Sequence, residues 1–470
     1  MRNARRCATF VAAVAVAGLA VHAAAAGIVT PARTISGPSP FAACADAVPG
    51  VVDNAEVEPW VAVSPVTGAA AVAWQQDRWG VPNQGGAHGL VAWSSATDAR
   101  SWAPFTTCSG GTAATNGNYD RASDVWLSYG PEGVLYQVAL QFDWFTGDDA
   151  ITVSRSTDDG STWSTPAVVF RTKHTSFTHG EDKEAITADP YHPGVVYVVW
   201  DRYSSHKGPV FFSKSTDGGR TWSDAMVIYG KDAGTIGSQL VVLANGTLVD
   251  FFVNYVLVKG EYSASLDAIR SSDGGRTWSS PTVVSSMTPS GTFDPATGRY
   301  IRAGDGLFDI ALDSASGALY AVWQDARFGD GVDQAAFSRS TDGGLTWSLP
   351  VKVSTSTRVE PAYRQAWAPS VDVAPDHTVG ITYYDFRLSP AGGDLADYWG
   401  ATSADGGSTW APATRLTTAS FPANMAPDAG GLMIGDYEGL AHTAGAFVGA
   451  FEVTTPSASN PTDIQLVSFR

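Results

Sequence analysis

The 470-residue chain carries 46 acidic against 29 basic side chains, a formal net charge of −17, with 49 glycines, 16 tryptophans and only 16% charged residues. So acidic a balance argues against a nucleic-acid partner, whose phosphates demand a basic surface, and against adsorption on anionic membranes. Many aromatics and glycines with few charges point to short strands joined by tight turns.

From the N-terminus, Arg2, Arg5 and Arg6 precede an apolar run from Ala8 to Val21 and the small residues VHAAAAG. This pattern predicts a secretory signal over 1–26 with cleavage near Ala26, hence a secreted, extracellular protein with no membrane attachment after processing. No later segment offers the ~18 consecutive apolar residues of a membrane span. One domain is expected over 27–470. Without Arg2, Arg5 and Arg6 it carries a net charge of −20, and a monomer is expected. Cys44 and Cys108 lie in the similar strings PFAAC and PFTTC. In an exported chain such a pair predicts a disulfide.

The next feature along the chain is a repeat. STDDGSTW at Ser156–Trp163 returns as STDGGRTW at Ser215–Trp222, SSDGGRTW at Ser271–Trp278, STDGGLTW at Ser340–Trp347 and SADGGSTW at Ser403–Trp410. A degenerate copy, ATDARSW, stands at Ala96–Trp102. The aspartates, at 98, 158, 217, 273, 342 and 405, are 56 to 69 residues apart, a length that fits one four-stranded sheet with its loops. In the unit Val371–Leu416, SVDVAPD, TVGITYYDFR, DYWGATSADGG and STWAPATRL read as successive strands. Radially repeated four-stranded sheets make an all-β propeller. After the sixth unit, EGLAHTAG, AFVGAFEVTT and TDIQLVSFR supply three more strands. A fourth would come from RTISGPSPFAAC near the N-terminus, closing the ring and leaving no open edge. Seven blades are therefore expected, with six as the alternative.

STDGGxTW resembles the Asp-box, or BNR repeat, of the sialidase superfamily, and the resemblance spans nearly the whole mature chain. The Asp carboxylate can accept backbone N–H bonds within the turn, Gly supplies backbone angles that a side chain forbids, and Trp packs between sheets. A device present in most blades builds the frame. The resemblance implies that it lies on the face away from the catalytic cleft.

Since the box joins the third and fourth strands, candidate chemistry belongs at the opposite face, after second strands or before first strands. The first group recurs as WQQDR, VVWDR, VWQDAR and YYDFR. Its Arg202, Arg327 and Arg387 can clamp a substrate carboxylate through planar guanidinium forks, or form salt bridges between blades. The second group is specific to each blade: NAEVEPW (Glu56, Glu58), NYDRASD (Tyr119, Asp120, Arg121, Asp124), HGEDKEA (Glu181, Asp182, Glu184), RAGDGLFD (Arg302, Asp305) and IGDYEG (Asp436, Tyr437, Glu438). Glycoside hydrolysis usually uses two carboxylates, one kept protonated, whereas sialidases use a tyrosine nucleophile. The resemblance thus implies Asp120 or Asp124 as acid/base, Tyr437 with Glu438 as nucleophile and helper, and Arg121 beside the three arginines as a substrate contact.

The expected function is a sialidase-like glycoside hydrolase of the exo-α-sialidase type acting on glycans. The alternatives are a non-catalytic glycan- or protein-binding propeller and a polysaccharide lyase. The R-I-P string of sialidases is absent from this sequence. No cofactor is expected and no metal-binding string occurs, although so acidic a chain is compatible with a structural calcium.

Overall fold

The computed structural model describes residues 29–44, 49–80, 85–110, 119–173, 179–204, 208–230, 234–258, 261–329 and 331–470. The signal-peptide expectation falls outside them. Among the described residues there is no α-helix, only strands and two short 3-10 turns.

The strands form antiparallel meanders that follow one another along the chain. Their first strands are Glu56–Val63, Arg121–Tyr129, His179–Ala188, Gly234–Val242, Phe308–Leu312, Ala366–Val373 and Gly439–His442. The sheets are numbered here in that order. The first two are linked by the single pairing Ala87–Ala122. Sheet seven takes Phe447–Ser457 and Asn460–Phe469, then is completed by Arg33–Thr34 from the other end of the chain. Arg33 pairs with Leu466 and Thr34 with Gln465. The closure anticipated from RTISGPSPFAAC is therefore present.

Each sheet packs face to face on its successor. Leu135 and Ala139 of sheet two meet Ala71, Ala73 and Leu90 of sheet one. Tyr136 and Val138 meet Ile186, Val198 and Trp200. Further on, Phe251 and Leu266 meet Leu319 and Trp323. Sheet seven returns to sheet one through Val448, Ala450 and Ile464 against Val72, Trp74 and Val91. A ring of sheets with a core between each of these neighbours, closing on itself, is a β-propeller. The Cys44–Cys108 disulfide, with Cα atoms 5.6 Å apart, ties the N-terminal segment to the chain after sheet one.

The repeated turn is structural, as its chemistry implies. Asp342 Oδ1 accepts the N–H groups of Leu345 and Thr346 at 3.0 and 2.9 Å, and its Oδ2 accepts the Thr346 hydroxyl at 2.6 Å. Ser340 donates to Asp342 Oδ1 and accepts the Gly344 N–H. Gly343 and Gly344 have φ of 71° and 89°, the left-handed region closed to most side chains. Trp347 then meets Phe251 of the preceding sheet edge to face.

One irregularity positions the site. The first strands of sheets one, two, three, four and six each slip register near their start, between Val57 and Trp60, Ser123 and Trp126, Asp182 and Ala185, Ile236 and Gln239, and Trp367 and Ser370. A left-handed residue sits in each bulge: Glu58, Asp124, Lys183, Gly237 and Ala368. Such bulges bend a strand and re-aim a side chain.

Candidate functional site

Three adjacent bulges carry charged residues, while those of sheets four and six carry Gly237 and Ala368. The site therefore lies on the side of the ring formed by sheets one to three. Lys183 Nζ donates to Asp124 Oδ1 at 2.8 Å and to Asp436 Oδ2 at 2.9 Å. It stands 3.9 Å from Glu58 Oε1. A left-handed conformation costs a side-chain-bearing residue about 1–2 kcal/mol, and three such residues converge on one point.

Asp436 lies before sheet seven. Arg302 grips it with two parallel bonds, Nε to Oδ1 at 2.9 Å and Nη2 to Oδ2 at 2.6 Å. Arg302 comes from an additional small sheet in which Tyr300–Arg302 pairs in parallel with Leu432–Met433. Glu58 accepts the Asp436 N–H at 3.0 Å and a bond from Gln75. Gln75 in turn accepts Arg78 Nη1 at 3.0 Å.

Glu58, Arg78, Asp124, Lys183 and Arg302 border a cavity of about 280 Å³, whose wall also includes Asp182, Phe142 and Trp144. Beneath it Trp60 stacks on Trp126, with Tyr437 against both.

Electrostatics divides the carboxylates. Burial raises Glu58 to about 7, against the Lys183 charge. Burial, with the Asp124 charge added, raises the half-buried Asp182 to about 6. Asp124 is buried as well, yet the Lys183 ammonium holds it below the usual range. Asp436 is held well below that range against burial by Lys183 and Arg302. One cavity thus contains carboxyls raised toward neutral pH, Glu58 and Asp182, beside Asp124, which stays ionised.

Not every anticipated residue reaches this point. Glu58, Asp124, Asp182, Arg302 and Asp436 of the blade-specific group converge. Arg202, Arg327 and Arg387 do not form a common clamp. Arg202 pairs with Glu181 of its own sheet, Arg327 with Asp325 at 2.6 Å and Arg387 with Asp385 at 2.5 Å. These pairs lie within sheets rather than between them. Arg121 lies between two indoles, 3.8 Å from the Trp79 ring centroid and 4.3 Å from that of Trp144. Asp120 accepts the Trp144 N–H at 3.0 Å.

The Tyr437 hydroxyl donates to the Val125 carbonyl at 3.2 Å, and burial pushes its pKa well above the ordinary value, the reverse of an activated nucleophile. The Glu438 carboxylate accepts Tyr384 Oη and the Glu452 N–H instead of approaching the Tyr437 hydroxyl. Lys183 was not among the candidates chosen from the sequence, whereas Arg78 belongs to the recurring group through WQQDR. The strings EVEPW, RASDVW and EDKEA each place a charged residue two positions before the strand resumes its register. That phase is the signal that would have found Lys183.

No family model matches the chain. A xyloglucanase of Paenibacillus sp is 30% identical over 232 residues, covering 47% of this chain and 20% of that protein. The chain thus spans about a fifth of that relative's length. Among solved structures, the NanB sialidase of Streptococcus pneumoniae aligns over 75% of this chain and 67% of its own, at 12% identity and a TM-score of 0.43. The GH93 α-L-arabinofuranosidase of Fusarium graminearum aligns over 74% and 92%, at 14% identity and a TM-score of 0.45. A protein of unknown function from Dyadobacter fermentans aligns over 74% and 95%, at 14% identity and a TM-score of 0.46.

Proposed function

We propose that this chain is a secreted, monomeric, seven-bladed propeller that hydrolyses glycosidic bonds in the cavity between Glu58, Asp124, Asp182 and Arg302. The observation that carries this reading is the convergence of three strained bulge residues on one cluster of carboxylates and cations, since such strain gathers at functional sites. The separated protonation states support it. Asp182 is the half-buried acid that donates a proton to the glycosidic oxygen as the C–O bond breaks. Asp124, kept ionised by Lys183, is the second carboxylate, stabilising the positive charge that develops on the sugar or activating water. Glu58 and Asp436 hold the frame of the cluster, Glu58 through Gln75 and the Asp436 N–H and Asp436 through Arg302.

The substrate is a neutral glycan. Arg302 and Lys183 are matched by Asp436 and Asp124, and Arg78 shares the wall with Glu58, Asp149, Glu181 and Asp182, so little net positive charge is left for an acidic sugar. The xyloglucanase relative makes xyloglucan the first polymer to assay. Its turnover, reduced at least about 100-fold by Asp182→Asn in a folded protein, is expected. Absence of turnover on every glycan, or an unchanged rate in Asp182→Asn, would refute the reading.

A sialidase-type reaction is the second reading, and one observation favours it: Arg78 and Arg302 border the same cavity, where two guanidinium groups can face a carboxylate. Release from an aryl sialoside, abolished by Arg78→Ala, would select it over the first.

A further inference from the structure

The reaction site is small. Pockets that enclose drug-sized ligands run to about 300–1,000 Å³, so a cavity of about 280 Å³ takes one sugar-sized unit. The remainder of a glycan chain must leave across the rim. Part of that rim is the turn Asp143–Asp148, between the second and third strands of sheet two.

This turn is tightly built. The Asp143 carboxylate accepts the N–H groups of Phe145 at 2.9 Å and Thr146 at 2.7 Å. Asp143 N–H donates to the Asp148 carbonyl, and Gly147 N–H to that of Asp143. Asp120 fixes the Trp144 N–H at 3.0 Å. The Trp144 ring borders the cavity and is braced by the Arg121 guanidinium, itself laid on Trp79. Next to it Phe145 is 64% exposed. An isolated exposed phenylalanine needs no explanation. One that follows an indole bordering a carboxylate-lined cavity, on a turn fixed by this many bonds, does.

We propose that Trp144 and Phe145 form an aromatic platform for the sugar units that follow the one in the cavity, so that the ligand is an extended chain of neutral pyranose rings. This inference rests on the glycan-hydrolysing reading of the same cavity and adds the form of its substrate. A pyranose ring presents a face of axial C–H groups, which an aromatic face accepts while the equatorial hydroxyls stay in water. Trp144 is pre-organised by Arg121 and the turn, so stacking costs little further ordering. Arg121 is then a positioning residue rather than a substrate contact.

The test is calorimetric titration of the full chain carrying Asp182→Asn, which removes turnover, with cellobiose, cellotetraose and cellohexaose. Affinity is expected to rise with chain length. Adding Phe145→Ala should abolish that rise while leaving cellobiose binding unchanged, and this exposed position leaves folding intact. Adding Trp144→Ala should weaken cellotetraose and cellohexaose binding at least about fivefold. Equal binding of all three ligands by the three proteins would overturn the platform. So would an absence of binding by the parent. In that last case, Asp182-dependent turnover of some other glycan would leave the hydrolase reading standing.

Discussion

Lys183 of sheet three donates to Asp124 of sheet two at 2.8 Å, and both occupy left-handed bulge positions of their first strands. The same ammonium reaches Asp436, ahead of sheet seven, at 2.9 Å. One cation therefore compensates carboxylates from two distant parts of the ring. Removing one partner of a buried ion pair leaves the other charge uncompensated, at a cost of about 3–5 kcal/mol. Lys183→Met should lower the unfolding free energy by that order in urea titration. Lys183→Met combined with Asp124→Asn should recover part of the loss. If the single variant unfolds at the parent's urea midpoint, the cluster does not have this electrostatic role.

Activity should depend on pH through the same cluster. Asp182 is raised to about 6 by burial and by the Asp124 charge. An acid is active only while protonated, so kcat should fall as pH rises above about 6. Asp124, held low by Lys183 against burial, stays ionised across that range. Asp124→Asn removes the neighbouring negative charge and should move the alkaline limb to lower pH, because Asp182 then gives up its proton more readily. A limb that stays in place in that variant would separate Asp182 from the observed titration.

A stability effect of opposite origin is expected at Glu56, where burial raises the carboxyl to about 9. Its Oε1 accepts Gln76 Nε2 at 2.9 Å, while Oε2 is buried with no hydrogen-bond partner among the described residues. The native state holds this proton from the ordinary glutamate range up to about 9, where the unfolded chain has lost it. Stability therefore falls as pH rises through that window. Glu56→Gln keeps the shape and the acceptor and cannot ionise. At pH 9 it should be the more stable protein, by on the order of 6 kcal/mol, and at pH 4 the two should melt alike. Parallel pH profiles of Tm for the two proteins would contradict this.

The frame was the more legible part of the sequence, because one local device recurs. Ser340, Asp342, Gly343, Gly344 and Thr346 satisfy one another within a few residues, so their pattern can be read without the fold. The closing strand at Arg33–Thr34 followed from counting strands, and the Cys44–Cys108 bridge from a cysteine pair in the similar strings PFAAC and PFTTC of an exported chain. The arginine clamp did not survive. Asp201 accepts bonds from Thr235 and Ser238 of the next sheet, and Asp325 and Asp385 hold the arginines two positions on. The repeated Asp and Arg residues thus bond within their own sheet and to its neighbour. The site itself was half legible. Glu58, Asp124, Asp182, Arg302 and Asp436 stood out because they did not repeat, but Lys183 was hidden, since only the bulge shows which residue of EDKEA points toward the ring's interior.

The repeated turn and the site should respond independently. Asp342→Ala removes the acceptor of four bonds, each worth about 1 kcal/mol net at an exposed turn. Thermal unfolding should shift down modestly, with kcat unchanged, since Asp342 joins the third and fourth strands of its sheet and the cavity borders the first strands. A fall in kcat larger than the loss of folded protein would show that the two regions communicate.

Closure of the ring supplies the last test. The Cys44–Cys108 bridge closes a loop with a sequence separation of 64. Chain-entropy reasoning gives such a cross-link about 4 kcal/mol through restriction of the unfolded chain. It ties down the N-terminal segment whose Arg33–Thr34 strand completes sheet seven. Ile35 N–H donates to the Ile464 carbonyl, and Ser36 Oγ accepts the Ile464 N–H. Cys44→Ala with Cys108→Ala should therefore unfold at lower urea, and hydrogen exchange should accelerate first in Asn460–Phe469, the partner of the closing strand. Sheets two to five keep their own four strands and should exchange at parental rates until global unfolding. Uniform acceleration across all sheets would instead mean that the bridge acts only on the unfolded chain, with no local hold on the closing strand.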